Sequence, residues 1–260
     1  MKKAFLLLAL LFCLPGVSFA ASIMPDFADV PTGWTTDRYA PATFANIGIY
    51  QGRDNVLEIG ISRADGLTAR PAAYQSMFYN TQGENHELNA GSGSILSAAL
   101  WISEDWSDAA TAGNVRTDMW AVMSDGSAVT DYPIIGFTNY GGAARYRIWD
   151  QDTINGWVDI NTPVQYDAWN DFAIDFTGSS YIYSINGTTV YTDTTLGGST
   201  KFKGTIMQAY NFFDPALAGA NPEQYSVHWS NTVATPEPCT MGLMGLGAAG
   251  MAFMRRRARK

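Results

Sequence analysis

The chain has 260 residues, with 16 Lys and Arg against 24 Asp and Glu, a net charge of −8 and 2 cysteines. That length accommodates one large β domain or two small ones, and an acidic chain without a basic arm speaks against a nucleic-acid partner. With so few thiols, stability has to come from a buried core rather than from a disulfide framework.

Lys2 and Lys3 precede an apolar segment, 4–14, that Pro15-Gly16 breaks before Ser18-Phe19-Ala20. A short basic start, an apolar stretch and small residues at the two recognised positions predict a signal helix over 1–20, removed by signal peptidase after Ala20. Phe12, immediately before Cys13, is not the small residue that a lipid-anchor site needs.

Residues 21–51 are rich in Pro, Thr and aromatics and are expected to form an extended edge segment. Alternation of apolar with small or polar residues predicts a half-buried strand at 56–61. A second strand is expected at 76–79, followed by a polar loop at 80–86, and a strand buried on both faces at 95–102. An acidic loop, 103–108, leads to strands at 119–123, 134–138 and 145–149, separated by Ser124-Asp125-Gly126, Asn139-Tyr140-Gly141-Gly142 and the loop 150–156. These separators are turn chemistry: Gly and Asn accept positive φ, and Asp bonds the backbone ahead of it.

The strand at 172–176 precedes Tyr181-Ile-Tyr-Ser-Ile-Asn-Gly-Thr-Thr-Val-Tyr191. Asn186-Gly187 between β-branched and aromatic arms predicts a two-residue hairpin, with Ile185 facing Thr188 and Tyr183 facing Val190. Strands at 205–210 and 225–229 complete about ten short strands with no sustained helical periodicity between the termini. Such spacing argues for an all-β, antiparallel β-sandwich over 21–233.

At the C-terminus, Thr235-Pro236-Glu237-Pro238-Cys239-Thr240 leads into an uncharged apolar run, 241–254, and then Arg255, Arg256, Arg257, Arg259 and Lys260. As a short hydrophobic helix the run spans about 21 Å, less than a hydrocarbon core of roughly 30 Å. Cations directly after an apolar run hold it on the cytoplasmic side. A core helix with a basic end is the other explanation of a run this long, but it accounts for neither the Pro pair nor the Arg cluster. Without the two leader lysines and the five tail cations, the 16 basic residues fall to 9 against 24 acids, so the intervening cargo is strongly acidic.

A Pro-Glu-Pro element, an apolar segment and an Arg cluster in this order, over 234–260, resemble a PEP-CTERM sorting signal. The resemblance implies a Gram-negative exported protein that inserts transiently in the inner membrane and is processed by exosortase at Pro236-Glu237-Pro238. It implies a destination at the cell surface or in the exopolysaccharide matrix of a biofilm. A second resemblance rests on Trp169-x-x-Phe172-x-Ile174-x-Phe176, on Tyr-x-Tyr-x-x-Asn-Gly, on Ile206-Met-Gln208-x-Tyr210-Asn211 and on Tyr225-Ser-Val-His-Trp-Ser-Asn231. Together these are similar to the closing half of concanavalin A-like, laminin G-like jelly rolls, and imply that fold.

Glycan hydrolysis on such a fold needs two carboxylates on one strand, and no Glu-x-Asp-x-Glu run is present. Glu58 stands alone, and Glu104, Asp105 and Asp108 have the spacing of a solvated turn. A lyase needs a base such as His or Tyr, and the two histidines are His86, in the polar loop, and His228, in the last strand. No catalytic residue is therefore assigned. Asp150, Asp152, Asn155 and Asp159 gather oxygen ligands that suit calcium, and a plain hairpin loop explains the same residues. Of the many rings, Trp106, Tyr140, Trp149 and Trp157 lie near predicted loops, where stacking on sugars competes with ordinary packing. The expectation is a non-enzymatic surface or matrix protein that binds glycan, with a glycan-active lyase or hydrolase as the alternative.

Overall fold

The computed structural model describes residues 22–66, 71–74, 80–213 and 224–230. The signal segment with Ala20, the strand expected at 76–79 and the whole sorting tail lie outside the described residues. Among the described residues fifteen strands run in chain order: β1 (Trp34–Thr36), β2 (Thr43–Asn46), β3 (Leu57–Ser62), β4 (Thr81–Gly91), β5 (Ser94–Ile102), β6 (Arg116–Ser124), β7 (Val129–Asp131), β8 (Ile134–Thr138), β9 (Arg145–Trp149), β10 (Trp157–Ile160), β11 (Ala168–Phe176), β12 (Tyr181–Ile185), β13 (Thr188–Asp193), β14 (Lys201–Tyr210) and β15 (Gln224–Ser230).

The strands form two antiparallel sheets. One has the order β1-β4-β14-β6-β8-β9-β10, with β7 beside β6, and the other the order β13-β12-β11-β5-β15-β3-β2. Neighbours such as β4 and β14 are far apart in sequence, so the chain crosses repeatedly between sheets, as in a jelly roll. The expected edge segment supplies β1 to the margin of one sheet and β2 to the margin of the other.

Alternation drives the layering. In β11, Asn170, Phe172, Ile174 and Phe176 point inward while the residues between them are partly exposed. In β6, Met119, Ala121 and Met123 join one shared core with Leu57, Ile59, Leu100, Phe137, Phe172 and Trp229. The sheets meet through edge-to-face pairs, Tyr146 on Phe172 at 5.6 Å and Phe176 on Phe202 at 6.0 Å. The Trp229 indole donates to Thr117 Oγ1 across the layers at 3.0 Å, so the ring is buried without an orphan N–H.

Two local expectations are corrected. Residues 80–86 are not a loop, since Thr81–Gly91 is an eleven-residue strand. Its polar side chains are accommodated between β1 and β14, and Gln82 is fully buried, donating to the Ala40 carbonyl at 3.1 Å. The hairpin turns at Asn186 (φ 51°) and Gly187 (φ 75°), and Ile185 faces Thr188. Tyr183, however, faces Tyr191 and not Val190, because a β-bulge after Tyr183 inserts one extra residue into β13.

Candidate functional site

The outer face of the sheet containing β6 carries side chains that the core does not use. Register stacks them into rows across the strands. Gln208 of β14 lies opposite Asp118 of β6, Asp118 opposite Gly136 of β8, Gly136 opposite Arg147 of β9, and Arg147 opposite Asp159 of β10. The next row is apolar: Ile206, Trp120, Ile134, Trp149 and Trp157. These side chains make a satellite cluster separate from the main core.

Asp118 is the centre of the polar row. Its side chain is 0% exposed, and its Oδ2 accepts from Arg116 Nε at 2.8 Å and from Gln208 Nε2 at 2.7 Å. Arg147 Nε stands 3.8 Å from the other oxygen, Oδ1. Gly136 makes this convergence possible, because a Cβ there would collide with the Asp118 carboxylate and the Thr117 carbonyl. Gly83, opposite Gln208, likewise leaves no room for a side chain.

The two guanidiniums are packed under aromatic rings. Arg116 lies 4.7 Å from the Trp157 ring centre and 4.9 Å from that of Tyr210, and Arg147 lies 3.7 Å from Trp157. Such stacking favours the cation but does not replace hydrogen bonds. Burial, followed by the neighbouring Arg116 charge, pushes the Arg147 pKa down to about 9.

Beside this polar row, with Arg116 bordering both, opens a groove of about 500 Å³. Trp120, Tyr132, Trp149, Trp157 and Tyr210 supply its walls, with Asn80, Arg116 and Gln151 among its polar groups. Trp149 and Trp157 meet edge to face at 5.2 Å, and Trp120 and Tyr132 at 5.9 Å. Gly156 lets the Trp149 ring lie against the hairpin backbone, where a Cβ would collide with it. A concave site with aromatic walls and few convergent polar groups suits a planar, hydroxylated ligand.

Of the residues proposed for calcium, the structure brings Asp150 and Asp152 together with Asp193, their carboxylates offering atoms within 4.8 Å of one another. Asp150 accepts from the Tyr191 hydroxyl at 2.7 Å and from the Asp152 amide at 2.8 Å. Asn155 is exposed in the hairpin loop. Asp159 sits on β10 and pairs with Arg145 at 2.8 Å. Asp131, 4% exposed, completes the acidic neighbourhood, and burial first, then Asp193, Asp152 and Asp150, raise its pKa to about 6.

The remaining candidates have structural partners. Asp108 caps the short helix Ala109–Ala112 through the Ala110 amide at 2.9 Å, and Trp106 stacks on Phe137 in the core. Tyr140 packs on Phe212 at 5.0 Å. His86 lies edge-on to Trp34 at 5.2 Å. His228 faces outward from the opposite sheet, covered by Tyr50 stacked at 3.9 Å, with Glu58 at 3.3 Å. Trp101 and Trp169 adjoin Tyr50, giving a second, flatter aromatic surface on that sheet. Sequence reasoning named Trp149 and Trp157 but missed Trp120, Tyr132, Tyr210 and the buried Asp118 network beside them. The alternation in 116–124 was the available signal, since it puts Arg116, Asp118 and Trp120 on one face.

Among described residues no helix is long and apolar enough to cross a membrane. The fold resembles solved structures at low identity. One is a β-glucanase from Bacillus licheniformis, 12% identical, covering 82% of this chain and 97% of that one with a TM-score of 0.47. Another is a lichenase derived from a mouse hindgut metagenome, 12% identical over 79% and 93%, with a TM-score of 0.47. A third is a marine alginate lyase from Zobellia galactanivorans, 11% identical over 69% and 77%, with a TM-score of 0.47. No curated protein matches the chain. Residues 234–258 match the PEP-CTERM protein-sorting motif, so the jelly roll belongs to an exported protein that carries an exosortase-sorted tail.

Proposed function

We propose that the chain is a non-enzymatic glycan-binding protein of the cell surface or exopolysaccharide matrix. In this reading residues 21–233 are the cargo domain, and the tail is processed after transient insertion in the inner membrane of a Gram-negative cell, with signal peptidase acting at Ala20. The observation that carries it is the groove, whose aromatic walls are interrupted by Asn80, Arg116 and Gln151. Rings stack on the apolar faces of sugars, and the amide and guanidinium groups satisfy hydroxyls that would otherwise be desolvated. Isothermal titration of the purified chain against matrix polysaccharide, with the same mixture assayed for new sugar ends, tests the reading. Binding without cleavage supports it, and release of sugar ends overturns it.

A lyase is the second reading, and one observation favours it. Tyr210 presents its hydroxyl in the groove, accepting from Asn80 Nδ2 at 2.8 Å, where a phenol would serve as a base beside Arg116. Unsaturated products lost in Tyr210→Phe would establish it.

The calcium proposal now rests on Asp150, Asp152 and Asp193, which offer hard oxygen ligands in close reach. A rise in melting temperature with millimolar calcium, absent from Asp193→Asn, is the expected result. An unchanged melt removes the proposal.

A further inference from the structure

We propose that the loop 47–56 and the aromatic face beneath it, on the sheet opposite the groove, form a lipid-docking surface that lays the sandwich on the bilayer holding its tail. The inference goes beyond the glycan groove and rests on the reading that the tail inserts in a membrane.

Both ends of the described chain meet on one strand. Ser230 pairs with Ala99 of β5, and Ser22 bridges Ile95 of the same strand. The tail therefore departs from the middle of this sheet. Even fully extended, residues 231–240 reach at most about 36 Å, so once the run 241–254 enters a bilayer the sandwich is tethered close to the lipid. At the effective concentration that such a tether sets, weak surface contacts suffice.

The aromatic surface lies beside that exit. His228, two residues before Ser230, carries the stacked Tyr50, and Trp101 and Trp169 adjoin the same tyrosine. Tyr50 belongs to the loop between β2 and β3, in which Ile47 is 38% and Ile49 74% exposed. A single exposed apolar side chain needs no explanation. Two isoleucines beside a tyrosine and two tryptophans have the composition of an interfacial anchor, in which apolar groups enter the acyl boundary and rings settle at headgroup level.

The loop is held in shape. Tyr50 and Arg53 exchange backbone hydrogen bonds at 3.0 Å around Gln51 (φ 47°) and Gly52 (φ 76°). The Trp169 indole donates to the Gln51 carbonyl at 3.0 Å, and Arg53 pairs with Asp171 at 3.2 Å. Ile49 is thus presented by a preorganised segment, which lowers the ordering cost of docking. Asp54 is exposed in the same loop of an acidic cargo, so the surface fits zwitterionic rather than anionic lipid. Docking by this face turns the groove, on the outer face of the other sheet, away from the bilayer.

The test reconstitutes the full chain in phosphatidylcholine vesicles that contain doxyl-labelled lipid. In a Cys13→Ser, Cys239→Ser background, one bimane dye is attached at Ile49→Cys, Ile154→Cys or Leu246→Cys. Ile154 is fully exposed in the loop after β9, on the other sheet, so the same dye there reports partition driven by the dye itself. The expected result is quenching at 246 and, at 49, quenching about threefold or more above that at 154. The excess at 49 should shrink when Ile47→Ser is added, with folding verified by melting. Quenching at 246 with equal signals at 49 and 154 overturns the inference and leaves tail insertion standing. No quenching at either 246 or 49 overturns both.

Discussion

Removing the Asp118 carboxylate and removing the Arg147 guanidinium should have very unequal consequences for stability. Asp118 is fully buried and holds Arg116 at 2.8 Å and Gln208 at 2.7 Å. Asp118→Asn leaves two guanidiniums in a buried, low-dielectric site with no anion between them, and breaking a buried pair in this way costs about 3–5 kcal/mol. At roughly 2–4 °C per kcal/mol for a domain of this size, the melting temperature falls by about 6–20 °C. Arg147 presents the reverse case. Its pKa is lowered on folding to about 9, so the folded state disfavours the charged form. Charged Arg147 therefore subtracts stability at neutral pH, and the penalty fades only as pH rises past about 9. Arg147→Met relieves that penalty and gives up the stacking on Trp157, worth about 1–2 kcal/mol. The net change is expected within about 1 kcal/mol of wild type. Urea denaturation of the two variants and of the double variant at pH 7 measures the difference. If Arg147→Met is as destabilising as Asp118→Asn, Arg147 contributes as much to the buried network as Asp118 and the penalty inferred for its charge is wrong.

Other predictions address separate parts of the molecule. Asp131→Asn should stabilise the fold at pH 7.5 and flatten the stability profile between about pH 4 and 6. The raised pKa means that the folded state takes up a proton in that window, so stability is lost as pH rises through it; a profile that still falls in the variant sinks the assignment. Asn keeps the acceptor for the Tyr132 amide, now 2.7 Å from Oδ1. Trp157→Ala removes a groove wall and the ring over both arginines, and glycan affinity should drop about 30-fold, as for a central hot spot of about 2 kcal/mol. Unchanged titration curves would place the ligand elsewhere. Glu237→Ala should leave a membrane-held, unprocessed chain, read by mass and fractionation, and wild-type processing in the variant would dismiss the role given to Pro236-Glu237-Pro238.

The sandwich was legible because alternation and turn chemistry are local. Asn186-Gly187 fixed a turn, and the inward residues of β11 were visible as period two. β1, β7 and β10 have three or four residues each, too few alternations to register as strands. The polar segment of β4 looked like a loop because its side chains are satisfied by tertiary partners, as Gln82 is by the Ala40 carbonyl. The buried polar row beside the groove was illegible for a different reason. Asp118 and Gln208 are 90 residues apart, and only the register of β6, β8, β9 and β14 places Gly136 between Asp118 and Arg147. The acidic loop was partly visible: Asp150 and Asp152 were found by spacing, while Asp193 comes from another strand.

The most direct measurement is a crystal structure of the protein soaked with an oligosaccharide that it binds in solution. The account predicts sugar density between Trp120, Trp149 and Trp157. Density on the Tyr50, Trp101 and Trp169 surface of the opposite sheet would contradict it, as would a ligand that leaves the groove untouched.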